Sequence, residues 1–501
     1  MAKERSKVVR NGRVLAAGGA HAEALDLLIE EGRICAIGAP GMAAPADAES
    51  IDAADRLIIP GLVNAHTHAH GGLGKGAVND RLSLEMFLTG SGALTGSRNL
   101  EDKYLSAQLS AVEMVRKGCT AAYDLFVEYP IPSIEGIDAV GRAYRDVGMR
   151  AVIAPMISDR TLYQAYPGLV EAMPEALRDT ARRAATAPQA ESLRACRAIL
   201  RNWSFDRDFI RPALGPTIPM HCSDDFLTDC RDLDLEFEVG IQTHLAESAT
   251  QAVIAKKRYG TSLTAHLAKL GLLGERFSGA HAIWIDRDDM HRIADGGGAV
   301  AHNPLSNLRL GSGVAAVRAM LDCGLTVGIG TDAGNTSDTQ NMFEATRLAA
   351  YLSRVRGPEH REWLSVEEAF TLATAGSARV LGFGDELGAI APNAFADLVF
   401  LDLGHINYVP LRDALLQMVN GESGTAVDAV MVGGRFLLRG GKLLTVDEAT
   451  MRRNAEAARE RLDDANANAL ATARTMENWV GEFCIAHARE SGLPHCHVAA
   501  D

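Results

Sequence analysis

Between residues 60 and 385 the chain alternates short apolar runs with longer stretches in which apolar residues recur at helical spacing. The apolar runs fall at 62–65, 119–126, 149–157, 210–216, 240–244, 277–285, 299–302 and 326–330, and amphipathic stretches such as 105–117 and 314–322 lie between them. A short, almost continuously apolar run marks a strand covered on both faces, and a helix after each such run makes its neighbour parallel. Eight repeats of that unit predict an α/β chain folded as a (β/α)8 barrel of the TIM type, where reactive groups belong at the carboxyl ends of the strands.

The two ends of the chain follow a different rhythm. Short strands at 13–15, 25–30 and 33–37 are separated by turns, and Glu31-Gly32 between the last two is a hairpin signal. Past the barrel, a buried run at 396–401 and a second hairpin at 427–435 are alike in kind. The expectation is one small β-sandwich domain assembled from residues 1–59 and 386–445, with the catalytic barrel at 60–385. Residues 447–480 are rich in Ala, Glu and Arg at helical spacing, so 446–501 is expected to be an extension of one or two helices.

With 501 residues and 47% hydrophobic content the chain can bury one large barrel core and a smaller second one. Its formal charge of -14 argues against a nucleic-acid binder, which needs a basic face to displace counterions. No apolar run is long enough to cross a bilayer, and the charged start Met1-Ala2-Lys3-Glu4-Arg5 leads into no signal segment. A cytoplasmic homo-oligomer acting on a small molecule, without nucleic-acid or membrane partners, is expected. The eight cysteines include no C-x-x-C pair and read as reduced thiols.

Chemistry enters at the strand ends. His66 and His68 are one residue apart on an extended segment, so their imidazoles point the same way and make half of a metal site. His244 in Thr243-His244-Leu245-Ala246-Glu247, His281 in Gly279-Ala280-His281 and Asp332 in Gly330-Thr331-Asp332 each close another apolar run. A lone His-x-His is weak, because neighbouring histidines also occur as hydrogen-bonded loop residues; five candidates at the ends of four strands are a stronger signal. His66, His68, His244 and Asp332 form a three-nitrogen, one-oxygen set suited to one divalent metal, zinc first, with iron, manganese or cobalt also workable. Such an ion with an open position lowers the pKa of a bound water to roughly 7, making hydroxide available.

Glu247, three residues after His244, is placed to carry a proton to a leaving nitrogen, against the bland reading of a helix N-terminal carboxylate. Asp332 is expected both to hold the metal and to accept a hydrogen bond from the attacking water. His281 is either a fifth ligand or a group just outside the coordination sphere that polarises a substrate heteroatom, and the second is preferred. His302 reads equally as a brace and as a substrate contact. His70 and the glycine-rich run from Gly71 to Gly76 lack the Lys-Ser/Thr ending of a phosphate loop and read as a flexible loop over the pocket. His495-Cys496-His497 sits among the last residues and is given no role.

Several of these segments together carry a family resemblance: Pro60-Gly61-Leu62-Val63-Asn64-Ala65-His66-Thr67-His68, Thr243-His244-Leu245-Ala246-Glu247, Gly279-Ala280-His281, His302-Asn303-Pro304-x-Ser306-Asn307, Gly328-Ile329-Gly330-Thr331-Asp332 and Asn341-Met342-Phe343-Glu344-Ala345. The set resembles the amidohydrolase superfamily, in the branch of nucleoside and S-adenosylhomocysteine deaminases, guanine deaminase and triazine hydrolases such as atrazine chlorohydrolase. The resemblance spans about residues 10 to 445 and implies one divalent metal on His66, His68, His244 and Asp332, with Glu247 and His281 as catalytic partners. The segment Gly215-Pro216-Thr217-Ile218 offers no lysine to bridge two metals, as the dihydroorotase and hydantoinase branches have, which fits a mononuclear site. Cys222-Ser223 matches the deaminase branch, whereas the histidine that branch often carries a few residues earlier is replaced near Thr217. The expected activity is hydrolytic deamination of an aminated N-heterocycle of purine, pyrimidine, pterin or triazine type, an attack on a C–N bond other than a peptide bond. The alternative is removal of another group at the same site, by dechlorination, dealkylamination or cleavage of an amide, urea or carbamate. A barrel that has lost its chemistry is disfavoured, because every expected ligand and Glu247 are present.

Overall fold

Eight parallel strands form where the apolar runs predict them. They are β1 (Leu62–His68), β2 (Cys119–Val127), β3 (Arg150–Ile157), β4 (Ile210–Pro212 and Gly215–Pro216), β5 (Ile241–Leu245), β6 (Phe277–His281), β7 (Ala299–His302) and β8 (Thr326–Ile329). The computed structural model describes residues 5–16 and 21–490, so His495-Cys496-His497 lies outside the described residues. Strands β1 to β4 pair in order, as do β5 to β8. Two seams join the halves. On one side Gln242 N donates to Leu214 O at 3.0 Å; on the other Asp332–Ala333 pairs in parallel with β1, setting Asp332 beside Thr67. The interior near the strands' midpoints is filled by small side chains, Val63, Ala65, Ala121, Val152 and Ala301 among them, all buried.

One strand stops short of its expected span. The run 277–285 is strand only as far as His281, because His281 and Ala282 take left-handed backbone angles, φ 69° and 46°. The chain therefore turns at His281, at the carboxyl mouth of the barrel.

The two ends of the chain form the remaining sheets. Lys7–Arg10, Asp26–Glu30, Arg33–Gly38 and Glu49–Asp52 make a four-stranded sheet, and Glu31 and Gly32 turn its hairpin with φ 50° and 78°, the left-handed pair that a two-residue turn needs. In a seven-stranded sheet Arg56–Pro60 pairs antiparallel with Leu398–Asp402, so residues from both ends lie side by side. Val9, Leu27 and Ile34 from the first sheet share a buried cluster with Ile58, Leu398 and Met431 from the second.

The extension is one helix, Glu448–Glu490, longer than the 447–480 expected. It packs along the helix Leu84–Thr95, and Gly481 permits the approach: a Cβ there would sit 2.7 Å from Met86 Sδ. The glycine run after His68 is not the flexible loop expected from its composition. Ala69–Gly74 is a buried 3-10 turn, where a Cβ on Gly72 would meet Ser106 O at 2.4 Å, so its glycines serve close backbone packing. Among the described helices none is long and apolar enough to cross a membrane.

Candidate active site

Each histidine of the cluster is held by its outer ring nitrogen. His66 Nδ1 lies 2.7 Å from Gln242 Oε1, His68 Nδ1 2.7 Å from Leu125 O, and His281 Nδ1 2.8 Å from Asn307 Oδ1. His244 Nδ1 bonds Thr217 O. An oxygen partner requires Nδ1 to carry the hydrogen, so in all four rings the Nε2 lone pair is left facing inward. Gln242 itself is fixed, its Nε2 donating to Ala65 O at 3.1 Å and Ser278 Oγ at 3.0 Å.

The inward atoms converge. His68 Nε2 is 3.0 Å from His244 Nε2 and 3.2 Å from Asp332 Oδ1, and His66 Nε2 is 3.5 Å from the same oxygen. Ligand atoms of His66, His68 and Asp332 lie within 4.8 Å of one another, as do those of His66, His244 and His281, and those of Glu247, His281 and Asp332. His66 Nε2, His281 Nε2 and Glu247 Oε2 are buried without any hydrogen-bond partner. Buried polar atoms are rarely left so, and lone pairs crowded at 3.0 Å repel. A divalent cation satisfies both conditions, and the donor set of imidazole and carboxylate suits it. Asp332 is held at φ 61° and its Oδ2 accepts from Ser306, which leaves Oδ1 for the cluster.

Electrostatics divides the two carboxyl groups. Burial pushes Glu247 well above the ordinary carboxylate range, reinforced by the charges of Asp332 and Glu85. Burial acts the same way on Asp332, but the imidazoles of His66 and His68 facing its Oδ1 outweigh it and hold that carboxyl well below its usual range. One carboxyl biased toward the acid beside one biased toward the carboxylate is the pairing that proton transfer needs. Burial lowers His281 to about 4, keeping it neutral. Glu247 sits just before Ser248, the N-cap of the helix Ala249–Tyr259, with Oε1 3.7 Å from His281 Nδ1. The cap of that helix is Ser248, whose side chain accepts from Gln251 N, so the Glu247 carboxyl is not spent on capping.

The cluster opens into a cavity of about 630 Å³ counting its mouth. His68, His244, Glu247 and Asp332 form its floor, while His66 and His281 lie beneath them, fully buried. The opposite walls are apolar, chiefly Leu84, Phe87, Leu88, Val127, Met156 and Ile218. All five expected residues and Glu247 are thus brought together. His302 is not in the lining of the cavity; its ring is buried near His281 and its Nδ1 has no hydrogen-bond partner among the described residues, so the structure shows neither a substrate contact nor a brace.

Sequence reasoning missed the supports. Gln242, two residues before His244 and so on the same strand face, was legible as a polar residue beside a candidate ligand; Asn307 closes the motif that begins at His302, but its contact with His281 was not foreseen. Glu85 had no such signal. It is buried on the pocket helix, accepts from Ser248 Oγ and faces the Tyr166 hydroxyl at 3.4 Å.

The Amidohydrolase family profile matches residues 57–437. The chain belongs to the amidohydrolase family. This amidohydrolase is 32% identical over 464 residues to a 5-methylthioadenosine/S-adenosylhomocysteine deaminase of Desulforudis audaxviator, covering 91% of this chain and 98% of the relative. Among solved structures it resembles an adenosine deaminase from Xanthomonas campestris with bound zinc, at TM-score 0.81 and 26% identity, over 92% of this chain and 99% of that one. It also overlays an atrazine chlorohydrolase from Arthrobacter aurescens complexed with zinc, at TM-score 0.79 and 24% identity, over 90% of this chain and 99% of that one, a likeness of fold alone. The amidohydrolase is therefore a metal-dependent enzyme on the TIM-barrel fold that hydrolyses C–N bonds, as the sequence leads one to expect.

Proposed function

We propose that this amidohydrolase deaminates an aminated N-heterocycle hydrolytically, with one zinc ion held by His66, His68, His244 and Asp332, and with Glu247, His281 and Asp332 as its catalytic groups. The observation that carries the reading is the convergence of His66, His68, His244 and Asp332 on one point, with Glu247 beside them at the floor of an apolar cavity. When bound, the metal lowers the pKa of a coordinated water toward 7 and so supplies the nucleophile at neutral pH.

The chain's own groups do the rest. Asp332 accepts a hydrogen bond from the attacking water through the oxygen facing the cluster and takes up its proton. Glu247 donates its proton to the heterocycle nitrogen next to the carbon under attack, takes up the proton of the added hydroxyl and passes it to the departing amine, and is restored by the proton that Asp332 took from the water. The balance is one water consumed and one ammonia released, the ring carbon exchanging its amine for oxygen. His281, neutral and held by Asn307, stands against the attacking water and the substituents of the developing tetrahedral carbon. The apolar walls, Leu84 and Phe87 among them, accept the flat face of a ring and exclude water from it.

The same reading takes the sheets of the two chain ends as one β-sandwich domain beside the barrel, and the enzyme as a cytoplasmic homo-oligomer. The test is ammonia release by the zinc-loaded protein from a panel of adenine, cytosine, pterin and aminotriazine amines, with a chlorotriazine and an aryl urea alongside. Turnover of a ring amine is expected. Turnover confined to the chloride or the urea would overturn deamination in favour of the other leaving groups.

A further inference from the structure

We infer that His70 determines which heterocycle the site accepts, by donating its Nε2 hydrogen to a second acceptor atom on the ring, a nitrogen or a ring carbonyl oxygen remote from the carbon that loses its amine. This rests on the deaminase reading above and goes beyond it.

His70 lines the cavity beside the metal cluster, its ring centroid 5.1 Å from that of His68. Its Nδ1 receives the backbone N–H of Val127 at 3.3 Å. A nitrogen that accepts a backbone hydrogen carries none of its own, so the hydrogen sits on Nε2. The ring also lies against the Leu125 carbonyl, which already accepts from His68 Nδ1, and no hydrogen bond from Nε2 is formed among the described residues. It is a donor left for something in the cavity.

The donor is also aimed. The edge of Phe126 packs at 5.8 Å and 86° to the ring, and the carbonyl of His70 accepts from the guanidinium of Arg98 and from Ser106 Oγ at 3.1 Å. Arg98 is half-buried and also gives its Nη2 to Leu94 O at 3.3 Å, forming no ion pair among the described residues. A guanidinium held between two peptide carbonyls restrains the orientation of the His70 peptide, and with it the ring.

Besides His70, the lining offers the Tyr129 hydroxyl and the Asn335 amide, whose Oδ1 has no hydrogen-bond partner among the described residues. The hydroxyls of Ser91, Thr95 and Thr336, which also line the cavity, donate to backbone carbonyls, at 2.9 Å to Leu88, 2.8 Å to Ser91 and 2.8 Å to Ala333. The facing wall is Leu84, Phe87, Leu88 and Met156. A ring that offers His70 nothing would bury an unpaired N–H there, whereas a ring with an acceptor at that edge satisfies it.

The experiment pairs each ring with an analogue in which one remote acceptor is removed and the reacting amidine kept: adenine with 3-deazaadenine and 7-deazaadenine, cytosine with 4-aminopyrimidine. Zinc-loaded wild type, His70→Phe and His70→Gln are compared by kcat/KM for ammonia release, and by dissociation constants on the Glu247→Gln background. His70→Phe is expected to lower kcat/KM and weaken binding roughly 10- to 100-fold for the acceptor-bearing parent and less than threefold for one of its analogues. His70→Gln, whose amide can reach the same place, recovers part of the loss. Zinc content and melting temperature of the variants check that the fold is intact. If His70→Phe costs parent and every analogue the same factor, the inference is overturned while deamination stands. If no ring amine is bound or turned over, both are overturned.

Discussion

The floor and the walls of the pocket are built by different rules. On the floor every reactive ring is pinned by its outer nitrogen to a carbonyl or amide oxygen, and each stands at the end of a barrel strand whose position the ladder fixes. The walls are a helix, Leu84–Thr95, the ends of β2 and β3 at Val127 and Met156, and Ile218 after β4, and they touch the cavity mostly with aliphatic and aromatic groups. Chemistry demands positions held to fractions of an ångström, while a ring's flat face demands only apolar area of the right shape. The floor should therefore fail through loss of metal or of proton transfer, and the walls through loss of selectivity.

The largest expected effect is on the floor. His244→Asn removes an inward nitrogen from the set of four, and both bound zinc and turnover should disappear together. Metal analysis of the purified variant checks it. Glu247→Gln should keep zinc and fold while kcat falls by roughly 10² to 10⁴, the usual range for losing a general acid or base. A near wild-type rate would move the proton shuttle elsewhere, with His281 next in line.

His281→Asn sharpens the contrast within the floor. Zinc should stay near one equivalent while kcat/KM drops by roughly 10² to 10³, the range for losing one group that stabilises the developing charge. Equal zinc loss from this variant and from His244→Asn would make His281 a fifth ligand. A smaller effect is expected one layer out. Gln242→Leu frees His66 Nδ1 and should weaken zinc by roughly 10- to 100-fold without moving substrate selectivity, measured by competition with a chelator of known affinity.

How far the sequence reached follows the same division. The eight strands and the ligands at their ends were legible because burial on both faces leaves unbroken apolar runs, and because each ligand closes one of them. The hairpin at Glu31-Gly32 was legible because few residue pairs accept its backbone angles. Two supports of the floor could not be read, since the carbonyls of Leu125 and Thr217 carry no side-chain signature. The early end of β6 was missed because Ala282 and Ile283 continue an apolar pattern that the left-handed turn at His281 overrides. The packed turn at 69–74 was misread because glycines that permit close backbone approach have the same letters as glycines in a loose loop. The pocket helix gave least warning of all: Leu84, Phe87 and Leu88 have the spacing of any core-facing helix, and only the folded chain turns them toward the cavity.

The central claim is that one ion on His66, His68, His244 and Asp332 serves one deamination reaction. It is tested most directly by stripping the enzyme with a chelator and titrating zinc back while following ammonia release from the best ring amine of the panel. Activity should vanish on stripping and return in proportion to zinc, levelling at one equivalent per chain. Turnover that survives complete removal of metal, or that needs a second equivalent to return, would contradict it.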